Sequence, residues 1–168
     1  MKKIFLGIGI LLITVSGYGQ KNMIDNVFEK YSGAKGFVTV SISGDMLNMM
    51  TKAEMERRDT VIQSKLSAIR ILAMDENCEK QSNINFKSEI FDKLDKAVYK
   101  EMVSVKKTGE DVLIMIKEKG GHISEMLVLV GGSKTNALVH ITGDILLREM
   151  NDMMGRFPMR GLDHMDWK

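Results

Sequence analysis

The chain has 168 residues, of which 44% are hydrophobic and 27% are charged, and its formal net charge is +2. This length suits one domain with an ordinary core, and the near-balance of charge excludes the strongly basic surface of a nucleic-acid-binding protein. The single cysteine, Cys78, excludes an internal disulfide and leaves two alternatives open, a buried thiol or an intermolecular link.

Residues 1–19 have the organisation of a secretory signal peptide. Lys2 and Lys3 give a short positive segment, an apolar run covers 4–15, and small residues precede a predicted cleavage site after Gly19. The apolar run is shorter than the ~20 residues that span a bilayer, and no cysteine near the cleavage site could accept a lipid. We therefore expect a soluble periplasmic or otherwise exported protein that is not a lipoprotein.

The first elements after the signal peptide are a helix, a strand and a second helix. Apolar residues at helical spacing predict a helix over 23–31, and alternating apolar residues predict a strand over 37–42. Ser43, Gly44 and Asp45 follow directly. A hydroxyl at the cap, a glycine at the turn and an acid in the first turn favour the start of a helix. We interpret these three residues as a structural cap.

The middle of the chain alternates between polar and apolar stretches. A polar connector is predicted at 56–59, followed by a short helix that ends near Leu66 and a buried strand over 68–74. The clearest helical period runs over 84–101, with oppositely charged residues four positions apart on its wet face. This stretch is therefore the clearest helix prediction in the chain.

Four strands are predicted after that helix, because the apolar period changes to two. They cover 103–105, 112–116, 123–130 and 137–141. Short glycine-containing turns separate them, which indicates an antiparallel meander. The last strand runs into Thr142, Gly143 and Asp144, which echo the first cap, and we interpret these residues as the cap of a final helix over 145–154.

These elements predict an α+β fold for one domain over 20–154. We expect a largely antiparallel sheet of about six strands with helices packed on one face, ending in the four-strand meander and a helix. Residues 155–168 show neither the helical nor the alternating pattern of apolar residues, so we expect an irregular tail. Because this tail contains Phe157 and Trp167, we expect it to fold back on the sheet or to dock on a partner.

The sequence contains no recognisable catalytic motif. The stretch 132–135 lacks the glycine that precedes the lysine of a phosphate-binding loop and is followed by a strand, so we interpret it as a hairpin turn. The three histidines show no metal-ligand spacing, and no serine or cysteine lies in a nucleophile elbow. His140 alternates with Val139 and Ile141, which predicts that it lies on the less buried face. We expect no catalytic residue, no cofactor and no metal site.

Methionine is unusually frequent, with 15 residues in the chain. Its flexible thioether fills irregular core gaps and adaptable contact surfaces, and it also binds soft Cu(I). We favour a core or contact role, because most of the methionines fall at helical spacing. The candidate partner-binding residues are Met49, Met50, Met153, Met154, Phe157 and Trp167.

Four features carry a resemblance to a known family. They are the signal peptide ending in Gly19-Gln20, the helix containing 28–31, the strand over 37–43 and the closing stretch over 138–145. Together they resemble the Bacteroidetes family classed as domain of unknown function 4252. The resemblance implies a small periplasmic or envelope protein with no established activity, and it supplies no catalytic residues. Some relatives are lipoproteins, from which this chain departs because it lacks the lipid-accepting cysteine.

The hypothesis that follows is an exported, non-enzymatic envelope protein that binds an unidentified envelope protein. Genes of such families often lie near extracytoplasmic sigma factors, so the resemblance also implies an envelope-signalling role. The alternative is a periplasmic protein that binds a small molecule or a soft metal such as copper. A periplasmic hydrolase ranks third, because the sequence contains no nucleophile–base signature.

Overall fold

The computed structural model of the protein describes residues 23–58, 64–75, 84–132 and 135–149. In chain order, its helices and strands are α1 Met23–Tyr31, β1 Phe37–Ser43, α2 Gly44–Arg58, β2 Lys65–Met74, α3 Phe86–Phe91, β3 Tyr99–Lys107, β4 Glu110–Lys119, β5 His122–Gly132 and β6 Asn136–Leu146. A short 3₁₀ turn over Leu147–Glu149 follows β6. These elements confirm the α+β class that the sequence predicts.

All six strands form one antiparallel sheet in the order β1-β2-β6-β5-β4-β3. Strands β3 to β6 pair each with the next, which is the predicted meander. Gly109, Gly120 and Gly121 have φ values of 83°, 64° and 82° at the hairpin turns, a conformation that glycine adopts without strain. Because β2 pairs with β6, the β1–β2 pair extends the meander into a single sheet.

Two helices, α1 and α3, cover one face of the sheet, here named the helix-covered face. Strand alternation places leucines of β2, β4, β5 and β6 on this face, where they contact apolar residues of the helices. The members of this core are Ile24, Val27, Phe28, Tyr31, Leu72, Phe86, Ile90, Leu94, Leu113, Met115, Leu127, Leu129 and Leu138. Each large apolar side chain that leaves water stabilises the fold by about 1.5–3 kcal/mol.

The opposite side of the sheet, here named the second face, is rich in valine and isoleucine. Its buried members are Leu47, Leu66, Ile69, Val112, Ile114, Ile116, Ile123, Met126, Val128 and Ile145. Leu47 comes from α2, so helices contribute to both faces of the sheet. Strand β4 is buried on both faces along 112–116, which explains why its sequence is a continuous apolar run.

The first cap lies where the sequence predicts a junction. Strand β1 ends at Ser43 and α2 begins at Gly44, and the backbone N–H of Met46 donates to Ser43 Oγ at 3.4 Å. A Cβ atom at Gly44 would lie 2.7 Å from the carbonyl oxygen of Ser67 in β2. Glycine is therefore required there by the close approach of two backbones, and Asp45 lies in the first turn of α2.

The interpretation of Thr142, Gly143 and Asp144 as a second cap is wrong. Strand β6 continues through all three residues to Leu146, and Thr142 pairs with Ala68 on one side and with Glu125 on the other. A Cβ at Gly143 would collide with the backbone of β2, where the ladder contains a bulge. The glycine thus serves a close approach between strands, and no α-helix begins at residue 145.

The predicted helix over 84–101 ends at Phe91 in the structure. Asn85 caps its start, since its Oδ1 accepts from the backbone N–H of Ser88 at 3.1 Å. After Phe91, the side chain of Asp95 accepts from the backbone N–H of Ala97 at 2.9 Å, which forms a local turn that competes with the helix. The residues from Tyr99 onward then pair with β4, so the helical period is overridden by sheet formation.

Two further boundaries differ from the sequence predictions. Helix α2 continues to Arg58, so residues 56–58 of the predicted connector are helical. Strand β2 begins at Lys65, so the predicted short helix does not extend to Leu66. Four further sequence predictions lie outside the described residues, namely the signal peptide, Cys78, the part of the final helix with Met153 and Met154, and the tail with Phe157 and Trp167. Within the described ranges, no helix is long and apolar enough to cross a membrane.

Substitutions at Thr142 distinguish a strand residue from a helix cap. We expect Thr142→Val to preserve or raise the free energy of unfolding, because valine suits a strand, and Thr142→Asn to lower it by about 1 kcal/mol. At Ser43 the ranking reverses, since asparagine retains a cap and valine removes it at a cost of about 0.5–2 kcal/mol. Urea denaturation of the four variants measures both rankings. Equal rankings at the two sites would contradict this assignment.

Candidate functional site

The helix-covered face contains a connected group of six polar side chains, here named the polar network. Its members are Asp25 of α1, Arg70 of β2, Tyr99 of β3, Lys117 of β4, Glu125 of β5 and His140 of β6. They reach one face because strand side chains repeat every two residues. Arg70 lies two positions before core Leu72, and His140 lies two positions after core Leu138.

Arg70 and His140 form the centre of the polar network, since they are directly paired across β2 and β6. Arg70 Nη2 lies 2.8 Å from His140 Nδ1 and donates to Asp25 Oδ1 at 2.6 Å. A guanidinium group has no acceptor, so His140 Nδ1 must accept and the ring proton is assigned to Nε2. That nitrogen faces Glu125 Oε2 at 3.4 Å. Both ring nitrogens of His140 are therefore engaged.

Arg70 also connects α1 to the sheet through an aromatic contact. Its Cζ lies 4.4 Å from the centroid of the Phe28 ring, a cation–π arrangement. Together with the ion pair to Asp25, this contact holds two residues of α1 against β2. The Arg70 side chain thus positions the helix as well as the histidine.

At the other end of the polar network, the Glu125 carboxylate is contacted by three side chains, those of His140, Tyr99 and Lys117. Tyr99 Oη donates to its Oε2 at 2.7 Å, and Lys117 Nζ donates to its Oε1 at 3.2 Å. Burial raises the pKa of Glu125, but the hydrogen bonds from Tyr99 and Lys117 outweigh it and bring the pKa below its ordinary value. Burial, together with the bond to Glu125, raises the pKa of the Tyr99 hydroxyl. Glu125 is thus held ionised and Tyr99 neutral.

His140 is 4% exposed, so the prediction that it lies on the less buried face is wrong. Helices cover its face of β6, while Val139 and Ile141 are partly buried and pack against the core of the second face. Burial lowers the pKa of His140, and the charge of Arg70 lowers it further. The imidazole is therefore kept neutral between a cation and an anion.

The arrangement is that of a structural network. His140 and Glu125 have their polar atoms directed at other members, and the network contains neither a serine nor a cysteine nucleophile. In the described part of the chain, no group of three or more His, Cys, Asp or Glu side chains could hold a metal ion. The geometry thus orders β2, β5, β6 and α1 relative to one another.

A second polar contact joins α1 to α3. Glu89 accepts from Lys30 Nζ at 2.7 Å and from Tyr31 Oη at 2.9 Å. Burial raises the pKa of Glu89, but these two hydrogen bonds reverse the effect and lower it. The two helices on the helix-covered face are therefore fastened to each other as well as to the sheet.

The outer surface contains a different kind of feature on α2, here named the Met stripe. Met46, Met49 and Met50 are 52%, 68% and 57% exposed, and their spacing of three and four residues places them on one side of the helix. Met49 and Met50 are two of the predicted partner-binding residues. Met46 was missed, although the same helical spacing identifies it.

Comparison with known proteins identifies a family that covers most of the chain. The family described as Domain of unknown function (DUF4252) matches residues 31–153. Among curated proteins and solved structures, none matches the chain significantly. The match includes the Met stripe and every member of the polar network except Asp25.

The neutral, buried His140 predicts a specific dependence of stability on pH. Because its pKa is lower in the folded chain, the unfolded chain binds a proton near pH 6.5 that the folded chain does not, so stability falls as the pH drops below that value. One proton gives a slope of at most about 1.4 kcal/mol per pH unit. We expect His140→Gln to be less stable at neutral pH but to lack this component.

Chemical denaturation of both proteins between about pH 5 and pH 8 tests this dependence, because that range includes the ordinary histidine pKa of about 6.5. The difference in unfolding free energy between wild type and His140→Gln should shrink as the pH falls. A difference that stays constant, or grows at low pH, would show that His140 is not held neutral.

Proposed function

Because the chain belongs to the DUF4252 family, which is described only as a domain of unknown function, we propose its function from its own surface: an exported, non-enzymatic module of the cell envelope that binds a protein partner. The Met stripe is the observation that supports this proposal. The composition of residues 1–19 supports export.

The Met stripe exposes three large apolar side chains on a helix that packs against the sheet. Among the side chains described in α2, only Leu47 is buried, so the helix packs on the sheet without using the three methionines of the stripe. Methionine has a flexible, polarizable side chain that adapts to different apolar surfaces, and such residues are frequent in protein-binding sites. Three of them on one side of a helix form a surface suited to contact.

The partner that fits the Met stripe is a protein with an apolar groove. Side chains at spacings of three and four residues are the anchors of a helix that lies in such a groove. Asp45, Asn48 and Lys52 are exposed on the same helix, which provides a polar rim around the anchors. The polar network supports a non-enzymatic role, because its histidine and carboxylate are occupied by internal partners.

Photo-crosslinking at position 49 tests this proposal in the full chain expressed in its native envelope. We expect a crosslinked adduct with a partner, and we expect Met46→Lys or Met50→Lys to abolish it, because a charge in an apolar groove is not compensated. Once the partner is identified, each lysine should weaken binding by about tenfold or more. Met102→Lys is the matched control, since Met102 is exposed on β3, the edge strand at the other side of the sheet from β1 and the start of α2.

Two results would count against the Met stripe as the contact surface. One is an adduct at position 49 that survives both lysine substitutions. The other is a loss of the adduct in the Met102 control to the same extent as in the stripe variants. Circular dichroism of each variant separates a lost contact from a lost fold.

Cu(I) binding is a second candidate function, supported by the same three thioethers. Thioether sulfur is a soft ligand that suits Cu(I), and the stripe places three such groups on one exposed side of a helix. The triple variant Met46→Leu, Met49→Leu, Met50→Leu keeps the apolar surface and removes the sulfur atoms. It therefore separates a copper site from a protein contact.

Anaerobic competition with a chromophoric Cu(I) chelator measures this difference. A copper-binding function predicts that the unsubstituted chain withdraws Cu(I) from the chelator and that the triple leucine variant does not. A protein-binding function predicts no withdrawal by either protein and an adduct at position 49 that tolerates leucine at positions 46 and 50.

A further inference from the structure

The two edges of the sheet differ in how they are protected. Strand β3, at one edge, contains four charged residues and a bulge between Glu101 and Val103. Charges and bulges on an edge strand oppose pairing with another chain. Strand β1, at the other edge, has no charged residue and no proline, and its register with β2 is unbroken over seven residue pairs. Only the β1 edge therefore has the character of a pairing site.

The side chains of β1 separate into two kinds. Val38 and Val40 lie on the second face and are 51% and 41% exposed, and Ile42 is half-buried beside them. Thr39 and Ser41 point to the helix-covered face, as their register partners Leu72 and Arg70 do. In the described part of the chain, no strand pairs with the outer edge of β1.

We propose that β1 pairs with β1 of a second copy of this chain, in antiparallel orientation, with Val40 on the two-fold axis. A two-fold axis perpendicular to the sheet keeps each face on its own side, so paired residues must have the same parity. Val40 is the central residue of β1 and satisfies this condition with the longest overlap. The two six-stranded sheets then become one continuous sheet.

The side chains of β1 are complementary to themselves in this register. Val38 lies opposite Ile42 of the other copy, and the two Val40 side chains lie opposite each other, so the apolar row continues across the axis. Thr39 lies opposite Ser41 on the other face, which sets hydroxyl groups beside hydroxyl groups. Cross-strand pairs of both kinds stabilise antiparallel sheets.

Symmetric pairing also explains why the absence of charge on β1 favours a second copy. Near a two-fold axis every charged side chain meets its own copy, so a single lysine or glutamate would create repulsion. The sequence Phe37–Ser43 contains no such residue. The proposal uses only the edge of β1 and not the Met stripe, so it stands independently of the proposed function.

Sedimentation equilibrium of the full exported chain tests the proposal. We expect a monomer–dimer equilibrium, and we expect Val40→Lys to raise its dissociation constant by about tenfold or more, because two ammonium groups then face each other across the axis. Met102→Lys is the matched control, since Met102 is 43% exposed on the other edge strand and should leave the equilibrium unchanged. Met49→Lys should also leave it unchanged.

Three results would overturn the proposal. The chain could remain monomeric up to millimolar concentration, the Val40→Lys dissociation constant could equal that of the unsubstituted chain, or Met102→Lys could disrupt the dimer equally. Because the Val40 side chain is 41% exposed, the lysine variant should fold, and circular dichroism verifies this.

Cysteine crosslinking in a Cys78→Ser background tests the register itself. Val40→Cys places two thiols opposite each other, whereas Val38→Cys separates them by four residues, or ~13 Å along the strands. The shortest bis-maleimide reagent should link the Val40→Cys dimer efficiently and the Val38→Cys dimer poorly. The opposite order, or equal linking at both positions, would rule out an axis at Val40.

Discussion

The pairing of β2 with β6 holds the two parts of this sheet together. It joins the β1–α2–β2 unit to the four-strand meander, and it places Arg70 opposite His140, 70 positions away in the sequence. The same arginine contacts Asp25 and Phe28 of α1, so the β2–β6 pairing also holds this helix against the sheet. Because the paired strands are far apart in the sequence, their pairing closes a long loop. The cost in chain entropy is offset by the burial of apolar side chains on both faces of the sheet.

The polar network lies on the helix-covered face, whereas the Met stripe belongs to α2, which packs on the second face. Each charged member of the polar network is paired with an opposite charge, and the buried imidazole of His140 is neutral, so the interior of low polarity tolerates the buried members. On the second face, α2 begins at the end of an edge strand and packs on the sheet through Leu47, which leaves the Met stripe in contact with water. The Met stripe is exposed and does not pack on the sheet, and for this reason we propose α2, rather than His140, as the binding element.

The sequence predicted the meander because its information is local: a period of two and glycines at the turns. It could not distinguish Ser43-Gly44-Asp45 from Thr142-Gly143-Asp144, because the two stretches have the same local chemistry. The sheet separates them. Strand β1 is an edge strand with one partner and can turn into a helix, whereas β6 lies between β2 and β5 and continues for as long as both ladders do. The polar network was not predictable either, since its members come from six different elements.

The central claim is that His140 supports the fold as a neutral imidazole whose proton lies on Nε2. Nitrogen and carbon NMR of the His140 ring across a pH titration tests it most directly, because ring shifts report both the tautomer and the protonation state. The account predicts a proton on Nε2 and a pKa below the ordinary value of about 6.5. A proton on Nδ1, or a pKa at or above that value, would contradict it.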